Sequence, residues 1–210
     1  MYRAALKVRG ASRVVVATDD ARIARTVRQF GGEVIVTSSD HATGTDRVAE
    51  VARQLRSGII VNLQGDEPVF DPALIERMVG VFARKPEIDI VTACHALHEP
   101  EAFADPHIVK VVFDRYGRAL YFSRAPIPAG AMDARGAWRH VGVYAYRRAA
   151  LLKFARLPRT PLEISERLEQ LRALENGMTI AVVETEHETV GVDVPGDVKK
   201  VEKLMGRSLD

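Results

Sequence analysis

The chain has 210 residues, of which 47% are apolar and 28% charged, with 30 lysines and arginines against 28 aspartates and glutamates. This composition is ordinary for a globular protein, and the near balance of charge argues against a nucleic-acid coat or an acidic tail. The apolar runs are too short to span a membrane, the first ten residues lack the apolar centre of a secretory signal, and the single Cys94 excludes an internal disulfide, so we expect a cytoplasmic protein.

The first half of the chain alternates predicted strands with predicted helices. β-Branched and apolar runs predict four strands, at 12–20, 33–40, 57–68 and 88–97. Apolar residues at helical spacing predict a helix after each of the first three strands, and Asp71 with Pro72 supplies the N-cap and first-turn proline of the third helix. Such regular alternation implies βαβ units and a mostly parallel sheet.

The second half breaks this alternation. Strands are predicted as a pair around a turn within 108–128, and singly at 140–147 and 178–185. One helix over 160–177 is predicted from an apolar stripe, Ile164, Leu168, Leu171 and Leu174. A last helix begins near Asp193. We therefore expect one domain over residues 1–210, with an antiparallel excursion at about 100–147.

Polar clusters follow three of the predicted strands, and in open parallel sheets ligands bind at the carboxyl ends of the strands. The clusters are Thr18-Asp19-Asp20, Ser38-Ser39-Asp40-His41 and Gln64-Gly65-Asp66-Glu67. No G-x-G-x-x-G follows a strand and no Walker A motif occurs, so the sequence lacks the motifs that would indicate a redox-dinucleotide site or a P-loop. The histidines are scattered without H-E-x-x-H, and one cysteine cannot build a zinc cluster.

Asp66 is a candidate ligand for a hard cation. Mg²⁺ typically takes one or two carboxylates and completes its shell with water and substrate phosphates, and Gly65 beside Asp66 permits close approach of the backbone. A second carboxylate would come from elsewhere, and Asp193 is the best placed by residue type. From spacing alone, a loop or N-cap role for Asp66 and an N-cap ahead of Pro195 for Asp193 stay open.

Thr43 and Gly44 precede a predicted helix. Their backbone N–H groups could bind an anion or the edge of a base, since a helix N-terminus favours negative charge. Ordinary capping, with Arg47 as a solvated charge near the first turn, explains the same pattern.

Four more side chains are candidates for a cleft. His140 and Tyr144 lie four residues apart on one predicted strand, so they share a face. Glu169 and Gln170 lie off the leucine stripe of their predicted helix and are free to face a cleft or water. The pattern alone leaves surface and core roles open for all four.

Seven strings in chain order carry a family resemblance: "VATDD", "SDHATGTDR", "VNLQGDEP", "YFSRAPIP", "RHVGVYAYR", "PLEISERLEQLR" and "TVGVDVPGDV". From residue 2 to about 205 the chain resembles the 3-deoxy-manno-octulosonate cytidylyltransferases (CMP-Kdo synthetases). The acylneuraminate cytidylyltransferases share fold and reaction but not these strings. The resemblance implies an α/β fold with a Rossmann-like, mostly parallel sheet of the nucleotide-diphospho-sugar transferase type.

The resemblance also implies a reaction and a site. CMP would pass from CTP to the anomeric hydroxyl of 3-deoxy-D-manno-octulosonate (Kdo), with Mg²⁺, giving CMP-Kdo and pyrophosphate for lipopolysaccharide biosynthesis. The catalytic metal carboxylates would be Asp66 and Asp193. The sugar acid would be surrounded by Gln64, His140, Tyr144, Glu169 and Gln170. The nucleotide would lie near Thr43, Gly44 and Arg47, with Thr43 standing where the family more often has Ser. Nucleotidyl transfer needs positioning and charge neutralisation, which a metal on two carboxylates supplies.

One departure from the family concerns the N-terminus. The family begins with a strand and loop resembling "IPARxxSTRLPGKPL", whose backbone, Arg and Lys cradle the CTP phosphates, whereas this sequence starts at the following helix. That strand would lie in the middle of the sheet, paired on both edges. We therefore expect the sequence to be N-terminally incomplete and, as it stands, to have little cytidylyltransferase activity.

Two alternatives remain open. The first is another sugar-acid cytidylyltransferase, acting on 8-amino-Kdo or an acylneuraminate. The second is a truncated, non-catalytic remnant that binds a sugar acid or a protein partner. The resemblance further implies a homodimer, to which the strands within 108–147 could contribute, with CTP and Kdo as ligands and no nucleic acid or membrane as a partner.

Overall fold

The computed structural model describes residues 1–65, 70–131 and 136–186, which fold as mixed α/β structure. The strands are β1 Val16–Thr18, β2 Val34–Val36, β3 Ile59–Asn62, β4 Ile90–Ala96, β5 Lys110–Phe113, β6 Ala119–Ser123, β7 Trp138–Arg147 and β8 Ile180–Glu184. The helices are α1 Tyr2–Ala5, α2 Ala21–Gln29, α3 Gly44–Gln54, α4 Pro72–Arg84, α5 Pro100–Ala104, α6 Arg148–Phe154, α7 Pro161–Glu166 and α8 Gln170–Glu175. None of these helices is long and apolar enough to cross a membrane.

Strand β7 is the centre of a six-stranded mixed sheet. It runs antiparallel to β4 on one edge, while its other edge pairs with β5 near its start and with β3 at its end. Beyond β4 the sheet continues with the parallel strand β8, and beyond β5 with the antiparallel strand β6. The α/β class and the antiparallel excursion are confirmed; the sheet is mixed because β7 returns antiparallel beside β3 and β4.

Strands β1 and β2 form a separate parallel pair. Within the described ranges β1 pairs only with β2, and β3 only with β7. Helix α3 contacts both β1 and β3, so it joins the two-stranded pair to the larger sheet. The carboxyl ends of β1, β2 and β3 are thereby gathered around one helix.

The two faces of the large sheet bury different cores. Odd-numbered residues of β7, such as Val141 and Val143, pack in a cluster with the apolar face of α4. Even-numbered residues of β7, such as Tyr144 and Tyr146, belong to the cluster that includes side chains of α3, α6 and α8. Period-two alternation along a strand produces this division.

The predicted single helix over 160–177 is wrong, because the chain forms two helices there. Between α7 and α8, Arg167 adopts a left-handed conformation with φ 55°. In one continuous helix Glu163 and Arg172 would lie about 13.5 Å apart along the axis. The break instead brings Arg172 Nη2 to 2.7 Å from Glu163 Oε1. Ile164, expected in the buried stripe, is 55% exposed.

Candidate active site

Two hydroxyls at the N-terminus of α3 hold the carboxylate of Glu169. Thr43 is the N-cap of α3 and accepts a hydrogen bond from the backbone N–H of Asp46 at 3.2 Å. Its hydroxyl donates to Glu169 Oε1 at 2.9 Å, and the Thr45 hydroxyl donates to Glu169 Oε2 at 2.6 Å. Thr43 is thus both a helix cap and a direct partner of a residue predicted to lie near the sugar acid.

A buried arginine fixes Glu169 from its own helix. Arg172 Nε and Nη2 donate to the two carboxylate oxygens of Glu163 at 2.9 and 2.7 Å, and Nη2 lies 3.2 Å from Glu169 Oε1. The guanidinium carbon lies 4.8 Å from the ring centroid of Phe154. Burial lowers the pKa of Arg172, but the hydrogen bond and charge of Glu163, followed by the charges of Glu169 and Asp46, outweigh burial and raise it. Glu169 is therefore held by donors from two helices.

Three rings line one face of β7. The ring centroids of His140 and Tyr144 are 5.5 Å apart, and those of Tyr144 and Tyr146 are 5.9 Å apart in a stacked pair. Phe122 of β6 meets the His140 ring edge-on at 5.1 Å. Burial, followed by the charge of Glu169, raises the pKa of Tyr146, so its phenol stays protonated. These three rings place imidazole nitrogens and phenol oxygens in otherwise apolar surroundings.

The imidazole of His140 is neutral at physiological pH. Burial, followed by the nearby charge of Arg139, lowers the pKa of His140 to about 3. Its Nε2 lies 2.9 Å from the hydroxyl oxygen of Thr92. A neutral imidazole has one donor and one acceptor nitrogen, so His140 is suited to hydrogen bonding with hydroxyls.

Strand β3 ends beside the N-terminus of α3. Asn62, its last residue, pairs with Tyr144 of β7 and is 6% exposed. Two residues further on, Gln64 Oε1 lies 3.7 Å from the position that a Cβ on Gly44 would take, which is ordinary van der Waals contact. A residue predicted for the sugar acid and one predicted for the nucleotide are therefore neighbours.

Arg47, in the first turns of α3, joins the ends of β1 and β2. Its Nη2 lies 3.1 Å from Asp19 Oδ2, and its Nη1 donates to the hydroxyl of Thr37 and to the backbone oxygen of Ser38. Two of the three polar strand-end clusters therefore meet at this guanidinium, and Gln64 of the third lies next to Gly44 at the start of the same helix.

The structure brings four predicted site residues together at the N-termini of α3 and α8: Thr43, Gly44, Gln64 and Glu169. Gln170 is the first residue of α8 and is 7% exposed. Asp66 and Asp193 lie outside the described residues. Within the described ranges, no group of three or more His, Cys, Asp or Glu side chains could hold a metal ion.

Sequence reasoning missed three residues that shape this site: Thr92, Tyr146 and Arg172. Arg172 could have been found, because it follows Glu169 at the three-residue spacing of a helical ion pair and stands within an apolar stretch. Thr92 is a polar residue in the apolar run of β4, where a buried hydroxyl needs a partner. For Tyr146, the alternation of β7 placed the ring on the same face as Tyr144.

Comparisons with known proteins identify the family. The sequence matches the family described as Cytidylyltransferase over residues 1–180. It is 49% identical to the 3-deoxy-manno-octulosonate cytidylyltransferase of Geobacter sulfurreducens, over 97% of this chain and 87% of that protein. It is 52% identical to that of Syntrophotalea carbinolica, over 90% and 80%. A solved CMP:2-keto-3-deoxy-manno-octonic acid synthetase complexed with CTP matches with a TM-score of 0.93 and 42% identity, covering 99% of this chain and 86% of that one.

The matching family and fold define the class of protein: the chain is a nucleotidyltransferase enzyme with a cytidylyltransferase fold. Identities near one half over almost the whole chain narrow the class further. The chain belongs to the 3-deoxy-manno-octulosonate cytidylyltransferase family, as the sequence motifs predicted.

Proposed function

We propose that this chain transfers CMP from CTP to the anomeric hydroxyl of Kdo, forming CMP-Kdo and releasing pyrophosphate. The observation that carries the proposal is the contact of Thr43 and Thr45 with Glu169. Through this carboxylate, the start of α3, on the expected nucleotide side, touches the start of α8, on the expected sugar side. Transfer between two substrates requires them to be held side by side, and this junction suits that need.

The side chains at the junction suit a ligand rich in hydroxyl groups. Glu169 accepts hydrogen bonds, the phenol of Tyr146 donates, and Gln64 can do both. The neutral ring of His140 adds a donor and an acceptor without adding charge. These properties support Kdo, which carries several hydroxyls, as the acceptor substrate.

We also propose Mg²⁺ as the cofactor, with Asp66 and Asp193 as its carboxylate ligands. Support comes from the path of the chain, since Gln64 already lies against Gly44 and Asp66 follows two residues later. Hard cations of this kind take one or two carboxylates together with substrate phosphate oxygens. When bound, the ion would neutralise charge on the phosphates.

The assembly and location are proposals of the same kind. We propose a homodimer, because Leu120 of β6 and Tyr116 of the turn before it expose 61% and 57% of their surfaces within the antiparallel excursion. We propose a cytoplasmic location, because the single Cys94 is a buried free thiol that needs no oxidising compartment.

Pyrophosphate release from CTP, Mg²⁺ and a panel of sugar acids tests the reaction. The assay compares the 210-residue chain with one extended upstream to the next in-frame start. We expect turnover with Kdo to exceed turnover with 8-amino-Kdo and N-acetylneuraminate. Faster turnover with either of these would reassign the substrate. No turnover by either form, and no calorimetric heat with CTP and Mg²⁺ from a folded chain, would favour a non-catalytic remnant.

A further inference from the structure

A buried hydroxyl lies where β4 and β7 change register. Thr92 pairs with Tyr144, but the next residue, Ala93, pairs with Val141, so β7 carries two extra residues at this point. Thr92 is fully buried, and its Oγ1 lies 2.9 Å from the backbone oxygen of Val143 and 3.2 Å from that of Val141. Because carbonyl oxygens only accept hydrogen bonds, the single hydroxyl proton of Thr92 is directed to this bulge.

The same oxygen determines which nitrogen of His140 carries the ring proton. His140 Nε2 lies 2.9 Å from Thr92 Oγ1. Since the hydroxyl proton is shared with the carbonyls of Val141 and Val143, Thr92 has only lone pairs left for the imidazole. Nε2 must therefore be the protonated nitrogen, and it donates to Thr92.

The other ring nitrogen is then an acceptor. In a neutral imidazole only one nitrogen bears a proton, and the low pKa of His140 keeps the ring neutral. Nδ1 has no hydrogen-bond partner within the described residues, and the His140 side chain is only partly buried. The edge-on ring of Phe122 and the tilted ring of Tyr144 fix the plane of the imidazole.

We propose that Thr92 is a positioning residue that holds His140 as the Nε2–H tautomer, so that Nδ1 accepts a hydrogen bond from a hydroxyl of the bound sugar acid. The ligand part of this inference rests on the proposed function, whereas the tautomer does not. A carboxylate has no proton to donate at neutral pH, so the Nδ1 lone pair selects the hydroxyl-bearing part of the ligand over its acid group.

The tautomer is measured by ¹⁵N NMR of His140 in the full chain at pH 7, without any substrate. We expect ¹⁵N shifts of an Nε2–H imidazole and a slowly exchanging Nε2 proton, both kept in Thr92→Ser. In Thr92→Val the hydroxyl is lost, so the slow exchange disappears and the shifts move toward a mixture of tautomers. An Nδ1–H imidazole in the wild type, or unchanged shifts and exchange in Thr92→Val, would overturn the inference.

A matched control separates tautomer control from the loss of any internal hydroxyl. Thr179 donates to the backbone oxygen of Glu87 and to a carboxylate oxygen of Asp89, at the opposite end of the sheet from His140. Thr179→Val should lower stability without changing the ¹⁵N shifts of His140. Thermal unfolding of both valine variants shows whether each remains folded at the temperature of the NMR experiment.

Titration with Kdo alone tests the ligand part. We expect Kdo to shift His140 Nδ1 in the wild type and in Thr92→Ser, and its affinity to fall about tenfold in Thr92→Val, the effect of one hydrogen bond of ordinary strength. If Thr92→Val changes the tautomer but not the affinity for Kdo, the ligand part of the proposal is wrong and the tautomer part stands. If turnover with Kdo is seen but Nδ1 does not respond, the ligand part of this inference fails while the proposed function stands.

Discussion

The two faces of the mixed sheet are built differently, and β7 contributes to both. Toward α4 it presents Val141, Val143 and Ala145, which are almost fully buried among apolar side chains. Toward α3 and α8 it presents His140, which contacts the buried hydroxyl of Thr92, and Tyr146, whose pKa is raised by burial and by the charge of Glu169. The first face needs only apolar volume. The second relies on partners for buried polar groups such as Glu163, Arg172 and Thr92, which fixes these side chains in position, whereas the amide nitrogen of Asn62 has no partner within the described residues.

This difference explains how a polar candidate site can form over a hydrophobic core. A buried apolar side chain contributes roughly 1.5–3 kcal/mol wherever it packs, with little demand on orientation. A buried charge is tolerated only in one arrangement, because an unpaired partner is strongly destabilising. The face toward α8 therefore fixes the position of Glu169. The face toward α4 packs the apolar core on the other side of the sheet and takes no part in the site.

The largest effect should come from removing Arg172, the buried cation on the face toward α3 and α8, which we call the polar face. Arg172→Met leaves the buried Glu163 with only the backbone N–H of Thr160 and the largely exposed Arg159, whose Nε lies 3.6 Å away, so the free energy of unfolding should fall by about 3–5 kcal/mol in urea titrations. The double variant Glu163→Gln/Arg172→Met should recover much of that loss, because no uncompensated charge remains. On the α4 face, Met78→Ala should cost about 2–5 kcal/mol through a cavity, yet leave the KM values for both substrates unchanged.

An exposed ion pair supplies the control for this prediction. Arg118 pairs with Asp114 through a side chain that is 51% exposed, so Arg118→Met should change the free energy of unfolding by no more than about 1 kcal/mol. If the free energy of unfolding falls as little in Arg172→Met as in Arg118→Met, the buried ion pair contributes no more to stability than an exposed one, and the prediction is contradicted.

Acid should weaken the polar face through His140. The pKa of this imidazole is about 3 in the folded chain and rises to its ordinary value of 6.5 on unfolding. Between these values the unfolded chain binds more protons, so the free energy of unfolding falls as pH drops below about 6.5, by up to roughly 1.4 kcal/mol per pH unit. Urea titrations at pH 7 and pH 5 should show a smaller difference for His140→Gln than for the wild type. Equal differences would contradict the buried, neutral histidine.

The sequence and the structure agree where local chemistry decides the conformation. Asp71 caps α4 through its side chain and Pro72 begins that helix, as the residue types predict. The contact of Thr43 with Glu169 joins residues 126 positions apart, and no local pattern contains it. The family motifs placed both residues in one site without revealing that they touch. The break at Arg167 was missed because arginine, unlike glycine or asparagine, does not mark a left-handed residue.

The smallest predicted effect concerns this break, on which the polar face depends. Arg167 holds φ 55°, a conformation that is unfavourable by roughly 1–2 kcal/mol for a residue with a Cβ. Glycine removes that penalty but adds entropy to the unfolded chain, so Arg167→Gly should raise the free energy of unfolding by no more than about 1 kcal/mol. Arg167→Ala keeps the Cβ and should leave stability nearly unchanged, because the arginine side chain is exposed. If glycine instead destabilised the chain and alanine did so equally, the arginine side chain would be responsible for the break. If glycine is stabilising and alanine neutral, as expected, the backbone conformation at residue 167 is itself unfavourable. Contacts such as the Glu163–Arg172 pair then hold it in place, and Glu169 with it.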